Sequence, residues 1–423
     1  MHRFVFSALI LPFLVSAVHS VERVPILFNV PDGLERYSGI QPVTFGMPFP
    51  EGALKTTGNW RVVDAAGDES PAQFEITATW TAEKKHVRWL LVDVSAEVEN
   101  GVPKPLFLEF GDDVTPSPAR EFDPDPASVG EATLTDGAGA PYRSQITSSE
   151  IEVLGPVRQE EKRTGKYAAA DGRSIADFET RVRRYPGQPF VRVFHTLIWQ
   201  TGSETELGSL VWEFPTTVTD GLTRVGLDGQ AVNAGHLRQT EWNSVAGVSA
   251  KAGERLDGWA TLTNDEAQLF AALRWPWQQF PVSLGSRDGQ LRLGLLDPVR
   301  PMSLKPDALA VDYVIPERAK WNLRVHDDPD GGLWNMVHNG QDALPHLSPR
   351  GVAKTWEFVL WRGDPDIDPA IKNLLTQQPI LAYAEPAFAT RANLPSPISP
   401  RDPQRFPFRG QSTILNSPSR EVG

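Results

Sequence analysis

The chain contains no cysteine in 423 residues. Disulfides, thiol nucleophiles and Cys-ligated zinc are therefore excluded, and stability must come from the packed core. Positive charge is in deficit: 41 Lys and Arg stand against 53 Asp and Glu, a net charge of −12. Nucleic-acid recognition rests on Lys and Arg at phosphates, so an acidic chain excludes that partner class. Beyond residue 18 no apolar run approaches the roughly 20 residues that a membrane-spanning helix needs. Helical periodicity is almost missing as well. What is abundant is 37 prolines and 34 glycines, the composition of a chain with many turns, and 13 tryptophans.

The one long apolar run, Phe4 to Val18, follows Met1-His2-Arg3 and leads into Val18-His19-Ser20. A basic start, a run of about 15 apolar residues and small residues at the end are the pattern of a signal peptide over 1–20. The expected localisation is secreted or periplasmic, with no membrane contact after cleavage. Cleavage removes Arg3 and no acid, so the charge becomes 40 − 53 = −13.

Residues 23–114 read as β. Pro42 to Leu54 carries a short strand ending at Gly46, an extended Pro-x-Pro run and a turn at Gly52. Trp60–Val63 precedes the turn Asp64–Gly67. His86–Val94 is apolar on both faces and so is expected to be a central strand, and Leu106–Phe110 is another. Thr115 to Pro126 holds four prolines in twelve residues and marks a stiff linker over 115–129. A second β-rich region spans 130–385. Its clearest hairpin pairs Asp177–Arg183 with Phe190–Trp199 across the turn Tyr185–Pro189. Further strands are expected at Leu210–Phe214, Trp259–Leu262, Leu269–Arg274, Leu291–Leu295 and Trp356–Trp361. One short helix is expected near Pro369, with Asp368 as N-cap. From 386 to 423 the chain is rich in Pro, Ser and Arg without periodicity, which predicts a disordered tail.

Thr44-Phe-Gly-Met-Pro-Phe-Pro-Glu-Gly52, Glu69-Ser-Pro-Ala-Gln73, Trp80 and Arg88-Trp-Leu-Leu91 follow one another in an order that resembles the exo-rhamnogalacturonan lyase/YetA-like family. Thr81–Lys85 departs from that pattern, which usually carries an Asp-Gly turn there. Arg181 to Thr196, Gly258–Leu262, Arg274–Pro281, Leu293–Pro298 and Gly351–Phe358 continue the resemblance, with Trp356 where the family often has His. The resemblance implies an all-β chain: a small RIFT-like barrel followed by a large antiparallel β-sandwich. It also implies a polysaccharide partner, rhamnogalacturonan in the family, and a β-elimination that needs a cation, a base and an acid. In the family most of the catalytic cleft belongs to an α/α-toroid, and no helical repeat pattern for one occurs in this sequence. The expectation is therefore a non-catalytic front half whose toroid is separately encoded or lost, or a stand-alone glycan-binding or structural protein.

Candidate site residues have competing readings. Arg181 and Arg183 share one strand face with Glu179, suited either to gripping a uronate or to cross-strand ion pairs. Trp275 and Trp277 flank Pro276 and would serve as a sugar-stacking platform if exposed and as core if buried. His195 is in register with Val193 and Leu197, as a core histidine would be. Lys354 and Glu357 fall on opposite strand faces, so they do not make one catalytic pair. Asp327–Gly331 and Asp364–Asp368 are oxygen-rich and would suit calcium, but lack a full binding-loop spacing, so no metal or cofactor is expected.

Overall fold

The structure, a computed structural model, describes residues 21–116, 129–303 and 349–392, apart from short loops at 203–204, 216–217, 219–220, 248–252, 265–266 and 364–366. The expected signal peptide over 1–20, most of the expected Pro-rich linker, Asp327–Gly331 and the chain after 392 lie outside the described residues. The N-terminal strands are β1 (Glu22–Asn29), β2 (Gly39–Pro48), β3 (Asn59–Asp64), β4 (Glu69–Ser70), β5 (Ala72–Thr79), β6 (Val87–Glu99), β7 (Val102–Pro103) and β8 (Leu106–Gly111). Next come β9 (Glu131–Asp136), β10 (Pro141–Leu154), β11 (Gln159–Ala168), β12 (Ser174–Arg184), β13 (Phe190–Trp199), β14 (Glu206–Phe214), β15 (Leu222–Leu227) and β16 (Gln230–Asn233). These are followed by β17 (His236–Glu241), β18 (Ser244–Ala246), β19 (Leu256–Thr263), β20 (Gln268–Leu273), β21 (Val282–Arg287), β22 (Gln290–Leu296), β23 (Met302–Ser303) and β24 (Ala353–Arg362). The described chain ends with α1 (Pro369–Gln377), β25 (Leu381–Ala384) and α2 (Pro386–Arg391).

The N-terminal barrel is built from two sheets, β2-β6-β5 and β25-β1-β8-β3-β4. β6 is central in the first, as its two-sided apolar pattern predicts, and Leu90, Val92, Val94 and Ala96 are wholly buried. β2 runs two residues beyond the expected stop at Gly46, pairing with β6 as far as Pro48 and Trp89. The reason is packing: Met47 and Phe49 are fully buried and hold the Pro-x-Pro run on the barrel core. Because β2 is an edge strand, the missing N–H of Pro48 breaks no interior ladder.

The C-terminal residues change the expected boundaries. β25 pairs antiparallel with β1, Ile26 opposite Ala384 and Asn29 opposite Leu381, so it belongs to the barrel rather than to the sandwich. A disordered tail from 386 was expected, but α2 occupies 386–391 and is a second helix. Phe388 is 3% exposed and meets Phe49 and Phe110 edge-on at 5.6 and 6.0 Å. Two prolines and few periodic positions hid these elements; their apolar side chains find partners more than 270 residues back in the chain.

The second region is one large antiparallel sheet, in the order β16-β15-β19-β20-β24-β13-β12-β11-β10-β9-β14-β22-β21-β17-β18, with β23 on β14. Its halves face each other over a common core: Phe178, Val193 and Phe358 from one, Leu134, Leu210, Phe214 and Leu293 from the other. Trp212 meets Phe358 across that core at 4.9 Å. The β12–β13 hairpin forms as expected, with Val182 opposite Val193.

Barrel and sandwich are joined by buried polar contacts. The Gly155-Pro156 turn between β10 and β11 brings Arg158 onto Asp93 of β6, with Nε–Oδ1 at 3.1 Å and Nη2–Oδ2 at 3.2 Å. Gln73 Oε1 accepts from the backbone N–H groups of Val157 and Arg158 at 3.1 and 2.9 Å. Helix α1 is the second tie. Asp368 caps it, accepting from the Ala370 N–H at 2.9 Å, as the sequence predicts. Leu375 enters the barrel core, while Lys372, wholly buried, donates from Nζ to Gln268 Oε1 of the sandwich at 2.8 Å.

Candidate functional site

Strict alternation in β12 sets the polarity of the sandwich's outer face. Phe178, Thr180 and Val182 are buried, so Glu179, Arg181 and Arg183 point away from the core. Register then extends the polar row. Arg183 lies opposite Arg192, and Arg181 opposite Phe194, on β13; Phe194 lies opposite Glu357 on β24. Beyond the end of β20, the Arg274 N–H donates to the Glu357 carbonyl at 2.9 Å. Glu357 is thus clamped between two guanidiniums, Arg192 at 3.0 Å and Arg274 at 2.8 Å.

The row continues in the other direction. Arg183 Nε donates to Glu160, which also accepts from Arg158 at 3.0 Å, and Arg158 reaches Asp93. The Arg183 guanidinium also lies 4.5 Å over the Phe194 ring. Arg181 donates to Glu152 at 2.7 Å and to Glu179; that hydrogen bond holds the Glu152 carboxyl below its ordinary range. Arg181 and Arg183 therefore serve in cross-strand ion pairs, and each already carries carboxylates of the protein itself.

At the Arg274 end of this row the side-chain chemistry changes. Trp275 is 49% exposed and adopts φ +53°, a left-handed conformation rare for a bulky residue. Three contacts hold it there. Its N–H donates to Gln377 Oε1 at 2.8 Å, the Arg274 guanidinium lies 4.3 Å over its ring, and buried Pro276 anchors the turn. Gly258 (φ +108°) makes room for that anchor; a Cβ there would come within 2.5 Å of the Leu273 carbonyl and 3.1 Å of Pro276 Cγ.

Trp277 opens a short 3₁₀ turn, Trp277–Gln279, and is half-buried. The Arg255 guanidinium lies 4.3 Å over its ring and 5.1 Å over that of Trp242. Trp242 is 49% exposed and Phe280 42%. Half a tryptophan left in water forgoes about 3 kcal/mol of burial, and here several aromatics near one turn do so. Rigid indole faces beside guanidinium donors suit a ligand with apolar C–H faces and hydroxyl acceptors, which is the chemistry of a sugar ring. Trp275 has the exposure that the platform reading requires, and Trp277 is half-buried, between the two readings.

The remaining candidates are structural. His195 is 1% exposed, hydrogen-bonded to Tyr167 and Thr180 hydroxyls at 2.8 Å each, and burial pushes its pKa down to about 3. Lys354 lies 5.0 Å over the inward Trp356 ring while Glu357 faces the outer arginines, so strand parity separates them as expected. Burial lowers the Lys354 ammonium pKa. Sequence reasoning did not single out Trp242, Arg255, Phe280, Arg192 or Arg274 as site residues. One local signal was readable: Trp242-Asn243 sits between two short alternating stretches, and a tryptophan at a hairpin tip is seldom core. Arg255 gave none, because its partners are distant in sequence.

Residues 33–100 match the family described as the PcRGLX-like N-terminal RIFT barrel domain. No curated protein matches the chain. Among solved structures, it is similar to a protein in the glycosyl hydrolase family 38 from Enterococcus faecalis, at 10% identity and TM-score 0.45, over 86% of this chain and 47% of that one. It is also similar to an alpha-mannosidase from Enterococcus faecalis V583, at 10% identity and TM-score 0.42, over 86% of this chain and 46% of that one. The chain spans about half the length of these structures. The first β-region, with its Thr44–Gly52 signature inside the matched residues, carries a RIFT barrel of the PcRGLX type.

Proposed function

We propose that this is an exported, polysaccharide-related protein that binds a glycan chain on the sandwich face at Trp275, in the manner of a front half of a rhamnogalacturonan exolyase. The observation that carries this reading is the exposed Trp275, fixed in a left-handed conformation by Arg274, Pro276 and Gln377. The RIFT-barrel match supports the polysaccharide class, and the resemblance of the sandwich motifs supports rhamnogalacturonan within it. The described residues act in binding rather than elimination. Arg181, Arg183, Arg192 and Arg274 each hold a carboxylate of the protein, which leaves them committed to the fold. Elimination would be supplied by a separately encoded toroid module.

The test is titration of the purified chain with rhamnogalacturonan I, following tryptophan fluorescence, together with ultraviolet absorbance of an unsaturated uronate. Quenching that saturates, is weakened in Trp275→Ala, and comes with a flat absorbance trace is expected. Rising absorbance would place elimination in this chain. An unchanged fluorescence trace with rhamnogalacturonan I, mannan and homogalacturonan would remove the glycan-binding reading.

A further inference from the structure

Trp242 occupies the tip of the two-residue turn between β17 and β18, where about half of its surface faces solvent. It is nevertheless held firmly. The Arg255 guanidinium lies over both the Trp242 and Trp277 rings, at 5.1 and 4.3 Å. Arg255 Nε also donates to the Trp242 carbonyl at 3.2 Å. Backbone and ring are thus fixed by one side chain, which in turn rests on Trp277. The layered Trp242–Arg255–Trp277 stack is anchored at Pro276, the residue between Trp277 and Trp275. A flexible hairpin tip would lose conformational entropy on binding; a tip already ordered loses less.

We propose that the Trp242–Arg255–Trp277 stack is a second sugar-binding subsite, and that the glycan this face takes is an oligosaccharide long enough to pass the Pro276 turn. This rests on the glycan reading of Trp275 and goes beyond it by assigning the length of the ligand. The stack offers the exposed part of the Trp242 indole to the C–H face of a pyranose. The remaining Arg255 N–H groups donate to ring or hydroxyl oxygens beside it. Trp275 and Trp242 then hold separate rings of one chain, with the buried Pro276 as the fixed point between them.

The occupant fits a sugar better than a lipid surface. The guanidinium lies against indole faces rather than projecting beyond them, and the net charge of the mature chain, −13 by the count above, opposes an anionic membrane. The experiment compares Trp242→Ala, Trp242→Phe and Trp275→Ala with the unaltered chain by isothermal titration. The probes are a disaccharide and an octasaccharide of rhamnogalacturonan I and vesicles of phosphatidylglycerol with phosphatidylcholine. In the unaltered chain the octasaccharide binds more tightly than the disaccharide. Trp242→Ala is expected to weaken the octasaccharide by about tenfold or more, the loss of one good contact, and to leave the disaccharide unchanged. Trp242→Phe restores most of the loss, which a folding defect would not. Trp275→Ala weakens both.

Equal octasaccharide affinity in Trp242→Ala and the unaltered chain would overturn the second subsite and leave Trp275 standing. Vesicle binding lost in Trp242→Ala, with octasaccharide binding intact, would assign the tip to membranes instead. No binding of either sugar by the unaltered chain would mean that the glycan reading itself has failed.

Discussion

The two faces of the β12–β13–β24 sheet both carry polar groups, yet they handle them in opposite ways. Inside, His195, Tyr167 and Thr180 form a neutral, fully buried hydrogen-bonded set. Outside, arginines pair with carboxylates from Arg274 to Asp93, half-buried along the sheet and buried at the Arg158–Asp93 end, and the other end reaches an exposed tryptophan. The comparison teaches two ways to meet the cost of burial: the His195 set is neutral and fully hydrogen-bonded, while the outer arginines keep their charge beside carboxylates. Only the outer face leaves a large aromatic surface for a ligand.

The sharpest way to break the comparison is at the buried end of the outer row. Arg158→Met would leave Asp93, 3% exposed, without its guanidinium. A loss of about 3–5 kcal/mol is expected from an uncompensated buried carboxylate, read by urea unfolding. A loss below about 1 kcal/mol would show that the row behaves as surface throughout.

Acid titration separates a fully buried histidine from a half-buried carboxylate by pH window. The His195 pKa is lowered from 6.5 to about 3 in the folded state, so the unfolded chain binds a proton first as pH falls. Stability from this group is complete above 6.5 and declines below it by about 1.4 kcal/mol per pH unit. His195→Gln should remove that slope between 6.5 and 4.5; an unchanged slope would place the titrating group elsewhere. Glu161 behaves differently. Burial raises its pKa, but Arg163 and Ser149 hydrogen bonds and the Arg163 charge outweigh this, and it falls from 4.5 to about 2. Its stabilisation, present above 4.5, is lost only as pH drops from there towards 2. After screening it is on the order of 1–2 kcal/mol, and Glu161→Gln should flatten the denaturation curve in that lower window alone.

The smallest effects belong to the exposed end. Arg181→Gln should change stability by less than about 1 kcal/mol, as surface ion pairs do, with sugar binding unaltered. Trp275→Ala should leave stability within about 1 kcal/mol, since half of the ring is already in water and the left-handed backbone disfavours alanine much as it does tryptophan, while weakening fluorescence quenching by glycan. Loss of stability without loss of binding would make Trp275 a packing residue.

Legibility followed the range of the interactions. The β12–β13 hairpin was readable because period-two alternation and a Pro-Gly turn lie within a few residues. The α1 start was readable because Asp368 and Pro369 act on the next turn of backbone. The platform was readable only as a choice, since Trp275-Pro276-Trp277 is equally a core sequence until Gly258 and Gln377 are placed around it. Arg181 and Arg183 were readable as a shared face, but their use depended on Glu152 and Glu160 arriving from β10 and β11.

By itself, then, the sequence determined the β-class, the polarity of the faces of β12, β13 and β24, the capped helix and the exclusion of thiol and disulfide chemistry. All of these rest on residue type or on contacts between near neighbours. Tertiary structure alone decided that β25 and Phe388 complete the barrel, that Arg158 joins Asp93 across the junction, and that Trp275 and Trp242 face solvent. Each of those depends on which distant residue fills the space beside it, and local periodicity carries no record of that.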